Sequence, residues 1–131
     1  MSYPRNIYLV DDDEDDRFLI CAALAEVDAG INIAQAHDGL HFLELVGQAG
    51  SPVAVLILLD MNMPRMNGLE TVRKIKSNPI LSEVPIVMIS TTDNESLTSQ
   101  AYQLGVSSFY TKPNSFEGFI DLAKTVVSEY L

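Results

Sequence analysis

Short apolar runs alternate with stretches of helical period along the whole chain. Ile7 to Val10 reads as a strand ending in Asp11, Asp12 and Asp13. From Asp15 to Val27, the residues Ile20, Ala23, Leu24 and Val27 recur at i, i+3, i+4 and i+7, the spacing of one buried helix face. Ile31 to Ala36 predicts a second strand and Gly39 to Gln48 a second helix. Val55 to Leu59 is apolar at every position, as in a strand covered on both faces at the centre of a parallel sheet. Asn67 to Ser77 predicts a third helix, opened by Asn67 with Glu70 three residues on, a pair able to satisfy free backbone N–H groups. Ile86 to Ile89 predicts a fourth strand. Thr92 and Glu95 then repeat the capping spacing before a helix over Asp93 to Leu104. Ser107 to Thr111 predicts a fifth strand, and Ser115 to Tyr130 a last helix with Phe116, Phe119, Ile120, Ala123 and Val127 on one face.

Strands alternating with helices in this way predict an α/β fold, a parallel sheet sandwiched between helical layers. Its crossovers are right-handed, and functional residues gather at the carboxyl ends of the strands. No repeat, low-complexity tract or linker interrupts the pattern. A single domain over residues 1–131 with no output domain is therefore expected.

Composition narrows the classes. A chain of 131 residues, 47% hydrophobic, suits one globular domain with a full core. The formal net charge of -10 would repel a phosphate backbone, which argues against non-specific nucleic-acid binding, and it is wrong for a polybasic membrane-surface protein. The longest apolar run, Val53 to Leu59, falls far short of the roughly 20 residues of a membrane-spanning helix. The first ten residues lack the apolar core of a secretory signal. Cys21 is the sole cysteine and has no internal disulfide partner, so a reducing cytoplasm is the expected location.

Candidate chemistry sits at the predicted strand ends. The first strand delivers Asp11 and Asp12, the third Asp60, the fourth Ser90, and the fifth leads to Lys112. In a doubly wound sheet these segments are neighbours. Three carboxylates so placed repel one another and raise one or more pKa values unless a cation neutralises them. A hard divalent ion with oxygen ligands is the natural remedy. Mg²⁺ is favoured because it takes one or two carboxylates and keeps room for water and a substrate phosphate.

Four segments, in order and in register across nearly the whole chain, resemble the receiver domains of two-component response regulators. They are Val10-Asp11-Asp12, Leu59-Asp60 through Asn67-Gly68, Ser90-Thr91 after an apolar strand, and Phe109-Tyr110-Thr111-Lys112-Pro113. Each alone is weak; the set is specific. The likeness is nearest to single-domain receivers such as chemotaxis and phytochrome-associated regulators. It implies a flavodoxin-like doubly wound fold with strand order 2-1-3-4-5. It also implies that Asp60 accepts a phosphoryl group from a sensor histidine kinase or a histidine phosphotransfer protein. Asp12 and Asp60 would bind Mg²⁺, with Asp11 acting mainly through water and the backbone carbonyl of Asn62 completing the set. Lys112 would pair with the phosphoryl oxygens, and the Ser90 hydroxyl would donate to one of them. Phe109 matches an aromatic switch position, and the Lys112–Pro113 bond is expected to be cis as in relatives. Signalling would follow from binding a partner, from a relay, or from phosphorylation-dependent dimerisation of a monomer.

Departures from the family pattern are modest. Ser90 stands where Thr is commoner, and Thr91 replaces a frequent Ala, with added bulk expected to restrict access to the phosphoryl group. Asn62 and Thr92 occupy positions that tune dephosphorylation in relatives. Plainer readings stand beside the functional ones. Asp11 and Asp12 could form a solvated acidic loop before a helix, and Phe109 could be plain core. Capping and dipole complementarity account for Asp13, Glu14, Asp15 and Asp16. His37 and His41 read as surface, Cys21 as a small helix residue, and Met61, Met63 and Met66 as packing. Two rival functions share the architecture. Asp60-x-Asn62 weakly resembles the haloacid dehalogenase signature, but Asn62 cannot act as general acid. A flavodoxin-type electron carrier would need a hydroxyl- and Gly-rich phosphate loop where Asp11-Asp12-Asp13 stands.

Overall fold

The apolar runs 7–10, Ala54–Leu59 and 86–89 are buried almost throughout on both sides, which places the sheet between two layers of helices. The computed structural model describes residues 5–51, 53–91 and 94–131. The strands β1 (Arg5–Val10), β2 (Ile31–Ala36), β3 (Ala54–Leu59), β4 (Ile86–Ser90) and β5 (Ser108–Thr111) form one parallel sheet in the order β2-β1-β3-β4-β5. The helices are α1 (Glu14–Val27), α2 (Gly39–Val46), α3 (Gly68–Lys76), α4 (Glu95–Gln103) and α5 (Phe116–Tyr130). The fold is the predicted five-stranded, flavodoxin-like α/β arrangement with five helices.

Strand side chains alternate between faces, and the core divides accordingly. Ile7, Leu9, Leu56, Leu58, Val87 and Ile89 point to the layer of α1 and α5, where they meet Ile20, Leu24 and Phe119. Tyr8, Val10, Ile57, Leu59, Ile86 and Met88 point to the layer of α2, α3 and α4, against Phe42, Val72, Ile75 and Ala101. Each fully buried aliphatic side chain contributes about 1.5–3 kcal/mol, so the two faces together fix the register. Val10 pairs with Leu59, Leu59 with Met88, and Met88 with Phe109. The residues just beyond these positions are thereby brought level at one edge.

Local signals set most helix starts. Asn67 and Glu70 form a reciprocal capping box at α3. Asp13 caps α1 by accepting from the Asp16 N–H at 3.0 Å, and Ser115 caps α5. Two expectations shift. The cap of α4 is Asn94, whose side chain accepts from the N–H groups of Ser96 and Leu97, while Thr92 and Asp93 lie outside the described residues. On α5 the buried stripe is Phe119, Ala123 and Val126, an i, i+4, i+7 run, and the expected Phe116 is 40% exposed at its start.

Gly68 begins α3 directly against the end of β3. Its N–H donates to the Met61 carbonyl at 2.7 Å. A Cβ at this position would lie 2.7 Å from the Asp60 carbonyl oxygen and 2.7 Å from the Met61 Cα, both backbone atoms that cannot rotate away. Gly68→Ala is expected to lower stability by about 1–3 kcal/mol in urea unfolding, as overpacking does. An unchanged midpoint would show that α3 can retreat without loss.

Candidate functional site

The strand ends deliver a crowded acidic cluster. The Asp60 N–H donates to the Val10 carbonyl at 2.9 Å and the Asp11 N–H to the Ala36 carbonyl at 3.0 Å, which continues the sheet by one residue on each strand. Carboxylate oxygens of Asp11, Asp12 and Asp60 all lie within 4.8 Å of one another. Asp11 and Asp60 are 1% and 5% exposed, whereas Asp12 faces solvent. Lys112 follows β5, and its N–H donates to the Ser90 carbonyl at 2.7 Å. Its ammonium lies 2.9 Å from Asp11 Oδ2 and 3.5 Å from Asp60 Oδ1. Ser90 is fully buried at the end of β4. Asp11, Asp12, Asp60, Ser90 and Lys112 thus converge as the pattern of strand ends implied.

The electrostatics follow from burial. Loss of water, and next the charge of Asp11, push the Asp60 carboxyl up to about 7 against the opposing pull of Lys112. Burial also raises Asp11, despite hydrogen bonds from the Asp13 N–H and from Lys112. Burial works against the Lys112 charge, yet hydrogen bonds to Asp16 and Asp11 and the fields of Asp11 and Asp60 leave its pKa raised. The cluster therefore carries more negative charge than one ammonium balances, and its donors are all oxygen. That is the chemistry of a hard divalent cation site.

Other expected residues take varied positions. Asn62 is exposed in the loop between β3 and α3, two residues past Asp60. Thr91 is exposed directly after Ser90. Phe109 is half-buried against the layer of α2, α3 and α4, and its N–H donates to the Tyr102 hydroxyl at 3.0 Å. Pro113 is half-buried. The expected cis bond is not found: the Lys112–Pro113 peptide is trans, and no cis bond occurs among the described residues. Trans is the lower-energy form of an X–Pro bond by about 0.5–1 kcal/mol.

Two features were not anticipated. The Lys112 ammonium makes its shortest ion pair, 2.7 Å, with Asp16 of α1, a residue assigned above only to helix capping and dipole complementarity. Asp38, 2% exposed, receives the guanidinium of Arg65, with Nε 3.0 Å from Oδ2. Arg65, itself exposed, adopts a left-handed backbone with φ 66° in the loop carrying Asn62, so its ion pair with buried Asp38 ties that loop to the start of α2. An acidic residue just before a predicted helix was the one available cue to Asp38. His37 is exposed and stacks on His41, with ring centroids 4.1 Å apart.

Comparison with known proteins accounts for this geometry. A family model described as the response regulator receiver domain matches residues 7–124. The chain belongs to the response regulator receiver family. It is similar to response regulator Rcp1 of Synechocystis, with 31% identity over 98% of this chain and 90% of that protein. The crystal structure of the phosphorylated cyanobacterial phytochrome response regulator RcpA superposes with a TM-score of 0.91, at 30% identity, over 98% of this chain and 94% of that one. The Mn²⁺-bound form of Rcp1 gives a TM-score of 0.87 at 31% identity, covering 98% of this chain and 95% of that one. Receivers are signalling proteins of two-component systems, and the acidic cluster is compatible with the divalent metal such domains bind. Among the described residues, no helix is long and apolar enough to cross a membrane.

The raised Asp60 pKa has a consequence in cation-free protein. Folded Asp60 keeps its proton where the unfolded chain has already lost it, from about pH 4 to about 7. The stability linked to that proton is complete below the unfolded pKa and is lost as pH rises through the folded one. Asp60→Asn, which cannot ionise, should gain on the parent by about 2–4 kcal/mol between pH 4 and pH 8. Urea unfolding in chelator reads the difference; two parallel stability curves would contradict it.

Proposed function

We propose that this receiver is a phosphorylation switch, with Asp60 as phosphoacceptor and Mg²⁺ as its metal. The observation that carries the reading is the three-carboxylate cluster with the Lys112 ammonium beside it, at the ends of β1, β3 and β5. Asp11, Asp12, Asp60 and the Asn62 carbonyl would hold the ion, which when bound supplies positive charge to the phosphoryl oxygens. The likeness to the Mn²⁺-bound form of Rcp1 supports a divalent ion there. The match to Rcp1 over 98% of this chain supports reading residues 1–131 as one receiver domain.

An Asp60 carboxylate oxygen attacks the phosphorus of a phosphohistidine on a sensor kinase or histidine phosphotransfer protein. The O–P bond forms as the N–P bond breaks, and the electron pair returns to the imidazole nitrogen. Lys112 neutralises the transferred oxygens, and the Ser90 hydroxyl donates to one of them. Thr91 borders the approach. This chain's catalytic contribution is position and charge, confined to its own modification and its reversal. Phe109 then reports the state of Ser90 to the surface of α4, β5 and α5, and Pro113 shapes the turn behind Lys112. Such coupling is typically about 1–3 kcal/mol, enough to bias binding of a downstream protein or a second copy. The net charge of -10 disfavours nucleic acid or an anionic membrane surface as partner, and the single Cys21 fits a reducing cytoplasm.

Acetyl phosphate with Mg²⁺ should add one phosphoryl group, seen by mass spectrometry, and Asp60→Asn should abolish it. Rapid turnover of a generic phosphatase substrate, without stable label, would favour a hydrolase instead. Lys112→Ala should retain metal binding while losing labelling or partner response by about tenfold or more. Unchanged labelling and partner binding in that variant would remove Lys112 from its assigned role.

A further inference from the structure

The ammonium of Lys112 is shared unequally. It lies 2.7 Å from Asp16 Oδ2, 2.9 Å from Asp11 Oδ2 and 3.5 Å from Asp60 Oδ1. An ammonium has three N–H donors. Short contacts engage it with Asp16 and Asp11, and the Asp60 carboxylate stands at the longest distance. Asp16 is fixed for this by its own helix: its N–H binds the Asp13 cap, and the next residue, Arg17, donates from Nη1 to the Asp11 carbonyl at 2.6 Å. The first turn of α1 is thus tied to the cluster by backbone as well as by charge. Lys112 is 7% exposed and Asp16 26%, so the pair is screened less than a surface salt bridge.

We infer that Asp16 is a positioning residue that draws the Lys112 ammonium away from Asp60, leaving the Asp60 oxygens open to cation and phosphorus. The inference rests on the phosphoacceptor reading of Asp60 and adds a residue that reading does not require. Without the Asp16 charge, Lys112 settles deeper among Asp11 and Asp60 and competes with the cation for their oxygens. When a phosphoryl group is present, its oxygens compete with Asp16 for the ammonium. Asp16 therefore sets both how open the empty site is and how far Lys112 must travel.

The test is a double-substitution cycle with Mg²⁺ titrated at physiological salt, plus a cation-free readout. Asp16→Asn should weaken Mg²⁺ binding by about three- to tenfold, less than the roughly 10–100-fold lost with groups that hydrogen-bond a metal ligand directly, because Asp16 acts through Lys112. Asp16→Glu should recover most of that loss. In a Lys112→Ala background the same Asp16→Asn change should shift Mg²⁺ affinity by no more than about twofold, the residue of a screened long-range charge. Without cation, the ¹⁵N resonance of the Lys112 ammonium should shift and exchange faster in Asp16→Asn. An equal loss of Mg²⁺ affinity in both backgrounds, or an unmoved ammonium resonance, overturns the inference. Failure of the parent protein to take label at Asp60 would instead sink the phosphoacceptor reading, which the ammonium resonance does not test.

Discussion

One positive side chain set among buried carboxylates is the constraint around which this molecule is organised. Lys112 touches Asp11 and Asp16 and stands near Asp60, while Asp12 adds a further charge at the solvent side of the cluster. Leaving like charges unbalanced in a water-poor setting costs free energy. The apolar strands beneath provide what holds the arrangement together. Ile57, Leu59, Val87 and Met88 are completely or almost completely buried, and they cannot shift register without exposing a face of the sheet. The core thus stores an electrostatic tension that a cation or a phosphoryl group can relieve.

The loops around the cluster are braced to hold that tension. Asp38 and Arg65 connect the start of α2 to the segment after β3, and Arg17 holds the Asp11 carbonyl. Gly68 lets α3 start against the Asp60 backbone. These contacts fix main chain rather than reactive atoms. Sites that work by placement need such support, since a shift of about 1 Å is enough to spoil alignment.

How much of this could be read from residues alone depended on range. The sheet was legible because Val55 to Leu59 and its neighbours are apolar runs cut off sharply by Asp60, Asp11 and Ser90. The ends of those runs coincide with the site. The capping box at Asn67 and Glu70 was legible for the same local reason. Asp16 was not, because an acid in a first helical turn already has a sufficient explanation in the dipole, and its partner lies 96 positions away. The Asp38–Arg65 pair needed the left-handed turn at Arg65, which no neighbouring residue announces. On α5 the expected face holds for Phe119, Ile120, Ala123 and Val127, which all pack into the core with Val126, while Phe116 lies exposed at the helix start. The trans Lys112–Pro113 bond shows the limit of carrying a local conformation over from relatives.

The Tyr102 hydroxyl has a broader bearing. β5 is an outermost strand, and its outer rim would present hydrogen-bonding groups to any passing strand. By occupying the Phe109 N–H, a side chain from α4 withdraws one donor from that rim. The rim is consequently a poorer template for aberrant strand-to-strand self-association. The aromatic guard that spares the molecule this fate is anchored to the very residue whose ring faces the helical layer beside it.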